Sequence, residues 1–247
     1  MIAGFTPEQI AVGLVATVAA AFVRGLSGFG MAILLVPALA LTISPESAVV
    51  SVNILGVLVG LVGIRKIWTI SEGSVKPIAV LAMAATPLGL WLLQITDPGS
   101  ARLLIAMIAV GAFILVLLPK RPAAHIPNRA ETGLTGIASG ILTGFAGMPG
   151  PPVIPYYLRR AIDPQVARAS MMVIFLFTSI AGCIAAMAMG MMTRQEPLLA
   201  GLLFPAVLLG NWLGSLAFGR IAEWVWRVLT GMILGAATAA AVWKAVV

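Results

Sequence analysis

The sequence predicts an all-α integral membrane protein built from two inverted repeats, each a glycine-broken helix hairpin followed by three transmembrane helices. Three observations lead there: the composition, a series of long uncharged stretches, and a motif that occurs twice. Of the 247 residues, 61% are hydrophobic and 9% are charged. A soluble domain carries roughly 25% charged residues, so lipid must face much of this chain.

The uncharged stretches have the length of membrane-crossing helices. Most of them reach the ~17–25 residues that a helix needs to cross a bilayer. They cover residues 47–64, 77–96, 103–119, 169–193, 197–219 and 228–243.

The net charge of +7 is distributed over short loops between these stretches. Such loops set the orientation of a multispanning protein, and no basic run suggests nucleic acid as a partner. The single cysteine, Cys183, lies in an apolar stretch, and the single histidine, His125, lies in a loop. We therefore expect no metal site and no cofactor. The N-terminus has no basic region before its apolar stretch, so we expect no cleaved signal peptide.

Two parts of the chain share an ordered set of residues. Gly25 and Gly28 match Gly144 and Gly147 at an offset of 119 positions. The match continues for about a hundred residues with the pairs Pro45/Pro164, Ala48/Ala167, Ser51/Ser170, Gly63/Gly182 and, at an offset of 125, Gly89/Gly214 and Arg102/Arg227. We predict a first transmembrane repeat over 1–119, a cytoplasmic linker over 120–130, and a second repeat over 131–247.

Each half opens with a long apolar segment that contains a break. Residues 132–158 include Pro149, Pro151, Pro152 and Pro155, so no straight helix can pass through them. The segment is either one broken helix that crosses once, or a hairpin of two arms of ~13 residues that reach the membrane middle.

Loop charges favour the hairpin. The loop before this segment holds Lys120, Arg121 and Arg129, and the loop after it holds Arg159, Arg160 and Arg168. Both loops should be cytoplasmic, because lysine and arginine are retained on that side. Each half then makes an odd number of crossings, so the second half is inverted. Inverted repeats with broken helices commonly place the substrate at the breaks.

The breaks suit an anion, because a helix that begins there directs unpaired amide donors toward the break. Packing is the alternative, since small residues at four-residue spacing also form helix contacts. Arg24 is a charge inside a membrane segment, which points to a function in binding. Alternatively, its side chain extends to the membrane surface. Polar residues in apolar helices either bind substrate or bond between helices. The candidate substrate-binding residues are Arg24, Gly25, Ser27, Gly28, Gly30, Asn53, Gly144, Gly147, Gly150 and Asn211.

These motifs resemble the TauE/SafE family of sulfite and organosulfonate exporters. The resemblance rests on GLSGFGMAILLVPAL from Gly25, SPESAVVSVN from Ser44, and GFAGMPGPPVIPYYL from Gly144, and it covers nearly the whole chain. The usual triple glycine of the family is here Gly28-Phe-Gly30 and Gly147-Met-Pro-Gly150. The resemblance implies export of a small sulfur-containing anion such as sulfite, sulfoacetate or a related organosulfonate.

Three functions compete at this point. A secondary transporter for a small anion in a bacterial-type inner membrane fits best, with alternating access around a site at the membrane middle and a homodimer as a plausible assembly. An anion channel on the same scaffold differs from it only in kinetics. An enzyme is disfavoured, because eight acidic residues, one histidine and one cysteine offer no catalytic cluster at membrane depth.

Overall fold

The computed structural model describes residues 5–62, 64–117 and 126–217. These residues form helices and no β-strand, so the all-α prediction is confirmed for them. The predicted third span of the second half, His125, Arg227 and most of the linker lie outside the described residues. The helices are α1 Pro7–Ser27, α2 Met31–Ala40, α3 Pro45–Leu61, α4 Ile64–Ile70, α5 Val75–Ile95, α6 Pro98–Leu117, α7 Arg129–Ala146, α8 Gly150–Leu158, α9 Pro164–Ala188 and α10 Gln195–Ala217.

Five of the described helices are long and apolar enough to cross a membrane, namely α1, α5, α6, α9 and α10. Local sequence signals set where helices begin. Thr6 and Asn128 form capping boxes with Gln9 and Glu131 at the starts of α1 and α7. Ser44 caps α3 and Asp163 caps α9, and a proline follows each of them in the first turn.

Both broken segments fold back on themselves. The Gln9 side chain at the start of α1 donates a hydrogen bond of 2.7 Å to the carbonyl of Thr42, beyond the end of α2. The hydroxyls of Thr132, at the start of α7, and Tyr156, near the end of α8, lie 3.0 Å apart. Each hairpin therefore begins and ends on one side of the molecule.

The arms of these hairpins are unequal, so the prediction of two arms of ~13 residues is wrong. The first hairpin combines 21 residues in α1 with 10 in α2, and the second combines 18 in α7 with 9 in α8. The reason is that a helix continues until a residue with left-handed backbone or a proline ends it. Those residues lie late in each segment, at Gly28 and at Gly147.

The two hairpins open at opposite ends of α9. Beside the start of α9, Arg160 forms an ion pair with Glu72 of the loop before α5 and lies 5.5 Å from the Tyr156 ring centroid. Partial burial lowers the pKa of Arg160, but the hydrogen bond and charge of Glu72 outweigh this effect and raise that pKa. Beyond the other end of α9, the carboxylate of Glu196 accepts hydrogen bonds from Ser47 and Thr193.

Each long arm packs closely along a helix of the other half of the sequence. In the α1–α10 pair, a Cβ at Gly25 would overlap the carbonyl oxygen of Asn211. In the α5–α7 pair, a Cβ at Gly144 would overlap the carbonyl oxygen of Thr86. Gly136 and Gly140 also contact α5. These glycines allow the helix backbones to touch, which is the packing role that small residues have in membranes.

We expect Gly144→Ala to destabilise the protein, because the added methyl group must displace the backbone of α5. Overpacking of this kind costs about 1–3 kcal/mol. Gly133→Ala is the matched control on the same helix, since its Cβ would find its nearest neighbour, Leu81, at 3.9 Å. Thermal unfolding in detergent should show a lower Tm for Gly144→Ala and an unchanged or higher Tm for Gly133→Ala. Equal Tm values would contradict the close packing of α5 and α7.

Candidate anion-binding site

A cavity of about 60 Å³ lies where the two breaks meet. It is about four times the ~15 Å³ that one water molecule needs, which suits a small anion. Its walls come from the first break and the start of α2, from the second break and the start of α8, and from the middle of α3 and α9. The lining residues are Arg24, Phe29, Gly30, Met31, Ala32, Ile33, Val52, Gly56, Val59, Gly60, Gly147, Met148, Pro149, Gly150, Met172, Phe175, Leu176 and Ser179.

The first break is built by three residues between α1 and α2. Gly28 has φ +85° and ends α1, with its N–H donating to the carbonyl of Arg24 at 2.7 Å. Gly30 has φ +96° and starts α2, and only glycine adopts such backbone without strain. Phe29 lies between them, and its N–H donates a hydrogen bond of 3.3 Å to the hydroxyl of Ser27, the last residue of α1. The break is therefore a fixed turn.

Arg24 brings a charge into this cavity. Arg24 is 9% exposed to solvent, and its Nη1 donates a hydrogen bond of 3.1 Å to Oδ1 of Asn211 on α10. Asn211 thereby orients the guanidinium from outside the cavity lining. Among the lining residues Arg24 alone carries a charge.

Arg168 supplies a second positive charge beside the first break, and the sequence analysis treated it only as a loop charge. It lies on α9, and its Nη2 donates to the carbonyl of Gly25 at 3.3 Å, near the end of α1. Its side chain passes over Gly28, where a Cβ would lie 2.6 Å from Cγ of Arg168. Arg24 and Arg168 are close enough for their charges to interact, so the first break has two basic side chains beside it. No motif in the sequence pairs Arg168 with a segment 140 residues earlier.

The second break ends α7 with a left-handed glycine cap, in which the glycine N–H bonds back to a carbonyl of the last turn. Gly147 has φ +66°, and its N–H donates to the carbonyl of Thr143 while that of Met148 donates to Leu142. The buried Ser139 hydroxyl donates to the carbonyl of Pro149 at 3.0 Å. This break is also fixed by its own hydrogen bonds.

The structure divides the ten candidate residues into two groups. Arg24, Gly30, Gly147 and Gly150 line the cavity. The other six lie around it: Gly25 and Gly144 contact neighbouring helices, Ser27 and Gly28 form the first turn, Asn211 binds Arg24, and Asn53 is buried against Gly182 on α9. Ser179 on α9 also lines the cavity, and it is not one of the ten candidates.

The profile of the family described as "Sulfite exporter TauE/SafE" matches residues 13–241. The chain belongs to the TauE/SafE family. Membership of this family and the five long apolar helices identify the chain as a multi-pass membrane protein.

A curated relative from Cupriavidus necator is named "Probable sulfite/organosulfonate exporter TauE". It is 24% identical over 154 residues, which cover 60% of this chain and 59% of the relative. The chain thus matches somewhat over half the length of that relative. No solved structure matches this TauE/SafE chain.

We predict that Asn211→Leu destabilises the protein, because it leaves the buried guanidinium of Arg24 without its acceptor. A hydrogen bond to a charged group contributes about 1.5–3 kcal/mol. The double variant Arg24→Met/Asn211→Leu should recover most of that loss, because the charge has also gone. Thr86→Val is the control, since within the described ranges the Thr86 hydroxyl bonds to Ala82 of its own helix and to no other residue. If the loss of Tm in the double variant equals the sum of the losses in Arg24→Met and Asn211→Leu, the Arg24–Asn211 interaction is contradicted.

Proposed function

We propose that this protein exports a small anion, such as sulfite, sulfoacetate or a related organosulfonate, across a bacterial inner membrane. The observation that carries the proposal is the cavity shared by both breaks, with Arg24 as its charged lining residue. Irregular backbone at membrane depth is tolerated where it lines a cavity, and transporters bind substrates at such breaks. The family and the name of the relative support the class of substrate.

In this proposal, transport proceeds by alternating access between two inverted repeats. Three features support it. The hairpins open at opposite ends of α9, α1 packs on α10 as α7 packs on α5, and the pair Gly25–Asn211 corresponds to Gly144–Thr86. The repeats of this proposal are 1–119 and 131–247. Movement of one repeat against the other would open the cavity to each side in turn, and two such chains could form a homodimer.

The inside-negative membrane potential can drive export of an anion without a proton. It supplies about 2.3 kcal/mol per charge per 100 mV. No acidic residue lines the described cavity, so the proposal needs no titrating carboxylate there.

Flux into proteoliposomes that hold purified protein tests the function. We expect saturable movement of sulfite or sulfoacetate, exclusion of chloride, and at least about a tenfold loss of flux in Arg24→Gln, because a charge-assisted hydrogen bond is removed. Arg159→Gln is the control, since Arg159 is exposed and lies outside the cavity. Unsaturable passage of all anions would indicate a channel instead. Normal flux in Arg24→Gln would remove Arg24 from the site.

Cysteine labelling in whole cells tests the orientation. In a Cys183→Ala background, Ser100→Cys should react with a membrane-impermeant thiol reagent. Gly73→Cys should react only after the cells are permeabilised, because loop charges place residues 71–74 in the cytoplasm. Both positions have room for the new side chain, since Ser100 is exposed and a Cβ at Gly73 meets no atom within 4 Å. The reverse pattern of labelling would invert the proposed orientation.

A further inference from the structure

The two breaks offer different numbers of amide donors to the cavity. At the first break, the N–H groups of Gly28 and Phe29 are bonded to Arg24 and Ser27. In α2 the first intrahelical bond is that of Leu34 to Gly30. The amides at positions 30–33 precede that bond, and all four residues line the cavity. Within the described residues none of these four N–H groups has an acceptor.

The second break has almost no free donor. The N–H groups of Gly147 and Met148 are bonded to carbonyls of α7. Pro149, Pro151 and Pro152 have no N–H at all. Among residues 147–152 of the described chain, Gly150 is thus the one residue whose N–H has no acceptor. At an offset of 119, Pro151 corresponds to Ala32 and Pro152 to Ile33, so the prolines stand where α2 carries donors.

Arg24 places a charge on the same side as the free amides. One of its nitrogens, Nη1, is bonded to Asn211. Within the described part of the chain, its other nitrogens have no hydrogen-bond acceptor. A guanidinium has five donors, so donors remain for an anion in the cavity. Arg24 and the first turn of α2 thus line the same cavity.

The rest of the cavity wall is apolar. Met148 and Pro149 contribute from the second break, and Met172, Phe175 and Leu176 contribute from α9. Ser179 is the other lining residue with a polar side chain. An anion whose oxygens all need donors would leave some of them against this wall, and unpaired buried polar atoms are costly.

We infer that the site is one-sided: the first break holds the anionic head through Arg24 and the amides of residues 30–33, and the second break holds an apolar substituent. This inference rests on the proposed function and adds the orientation and shape of the substrate. The favoured anion has one charged head group and a compact apolar substituent. A small alkylsulfonate meets this description, whereas sulfate, with oxygen on every side, does not.

Pro151→Ala tests the inference, because it adds an N–H donor next to the lining residue Gly150, in the first turn of α8 where the prolines leave few donors. Alanine suits the first turn of a helix, so the variant should fold. Saturable flux of ethanesulfonate and of sulfate is measured in proteoliposomes. We expect the wild type to prefer ethanesulfonate by at least about tenfold, and the variant to reduce that preference by at least about fivefold through improved use of sulfate.

Pro155→Ala is the matched control on the same helix. Its restored N–H lies beyond the first turn and bonds within α8, so the preference should stay at the wild-type value. Ala32→Pro is the converse change, since it removes a donor from α2 at the corresponding position. We expect it to raise KM for both anions alike, and an unchanged elution profile and Tm establish that it has folded.

The outcomes separate the two levels of the proposal. If the wild type shows no saturable flux of ethanesulfonate, sulfate, sulfite or sulfoacetate, the proposed function fails and this inference fails with it. If flux is saturable but sulfate is used as well as ethanesulfonate, the transporter stands and the one-sided site is wrong. An unchanged preference in Pro151→Ala would also overturn the one-sided site.

Discussion

The breaks depend on one constraint, which is that backbone N–H and C=O groups freed inside a membrane protein must find partners without help from bulk water. Each break meets this constraint locally. The N–H groups of Gly28 and Gly147 donate to carbonyls of the preceding helix, and the hydroxyls of Ser27 and Ser139 bond to backbone groups of the turns. The chain can therefore reverse direction deep in the molecule, and the few amides left over become available to a ligand.

A second constraint is the close approach of helices. The α1–α10 and α5–α7 pairs bring backbone atoms into contact at Gly25 and Gly144, and this contact fixes how closely each long arm lies against its neighbour. The same packing places Asn211 beside Arg24, so helix contact and charge placement are not independent. A glycine that looks like part of a binding motif in the sequence can thus act on the site by positioning its neighbours.

The charges are distributed unequally between the two breaks. Arg24 and Arg168 both lie at the first, whereas the corresponding residues Thr143 and Val49 beside the second are uncharged. Prolines remove amide donors from the second break as well. The first break is therefore suited to a charged group and the second to an apolar one. An asymmetric site is what a substrate with two unlike ends requires.

The sequence by itself determined the membrane class and the two broken segments, and its loop charges favoured the hairpins, because composition, glycine, proline and charge act locally and can be recognised along the chain. It also predicted Arg24 as a charge inside an apolar segment. It did not determine the lengths of the arms or the place of Arg168 at the first break. It also did not determine which glycines contact neighbouring helices and which line the cavity. Those features depend on which helices touch across more than a hundred residues. Such contacts are decided by the fit of whole helix surfaces, which only the tertiary structure contains.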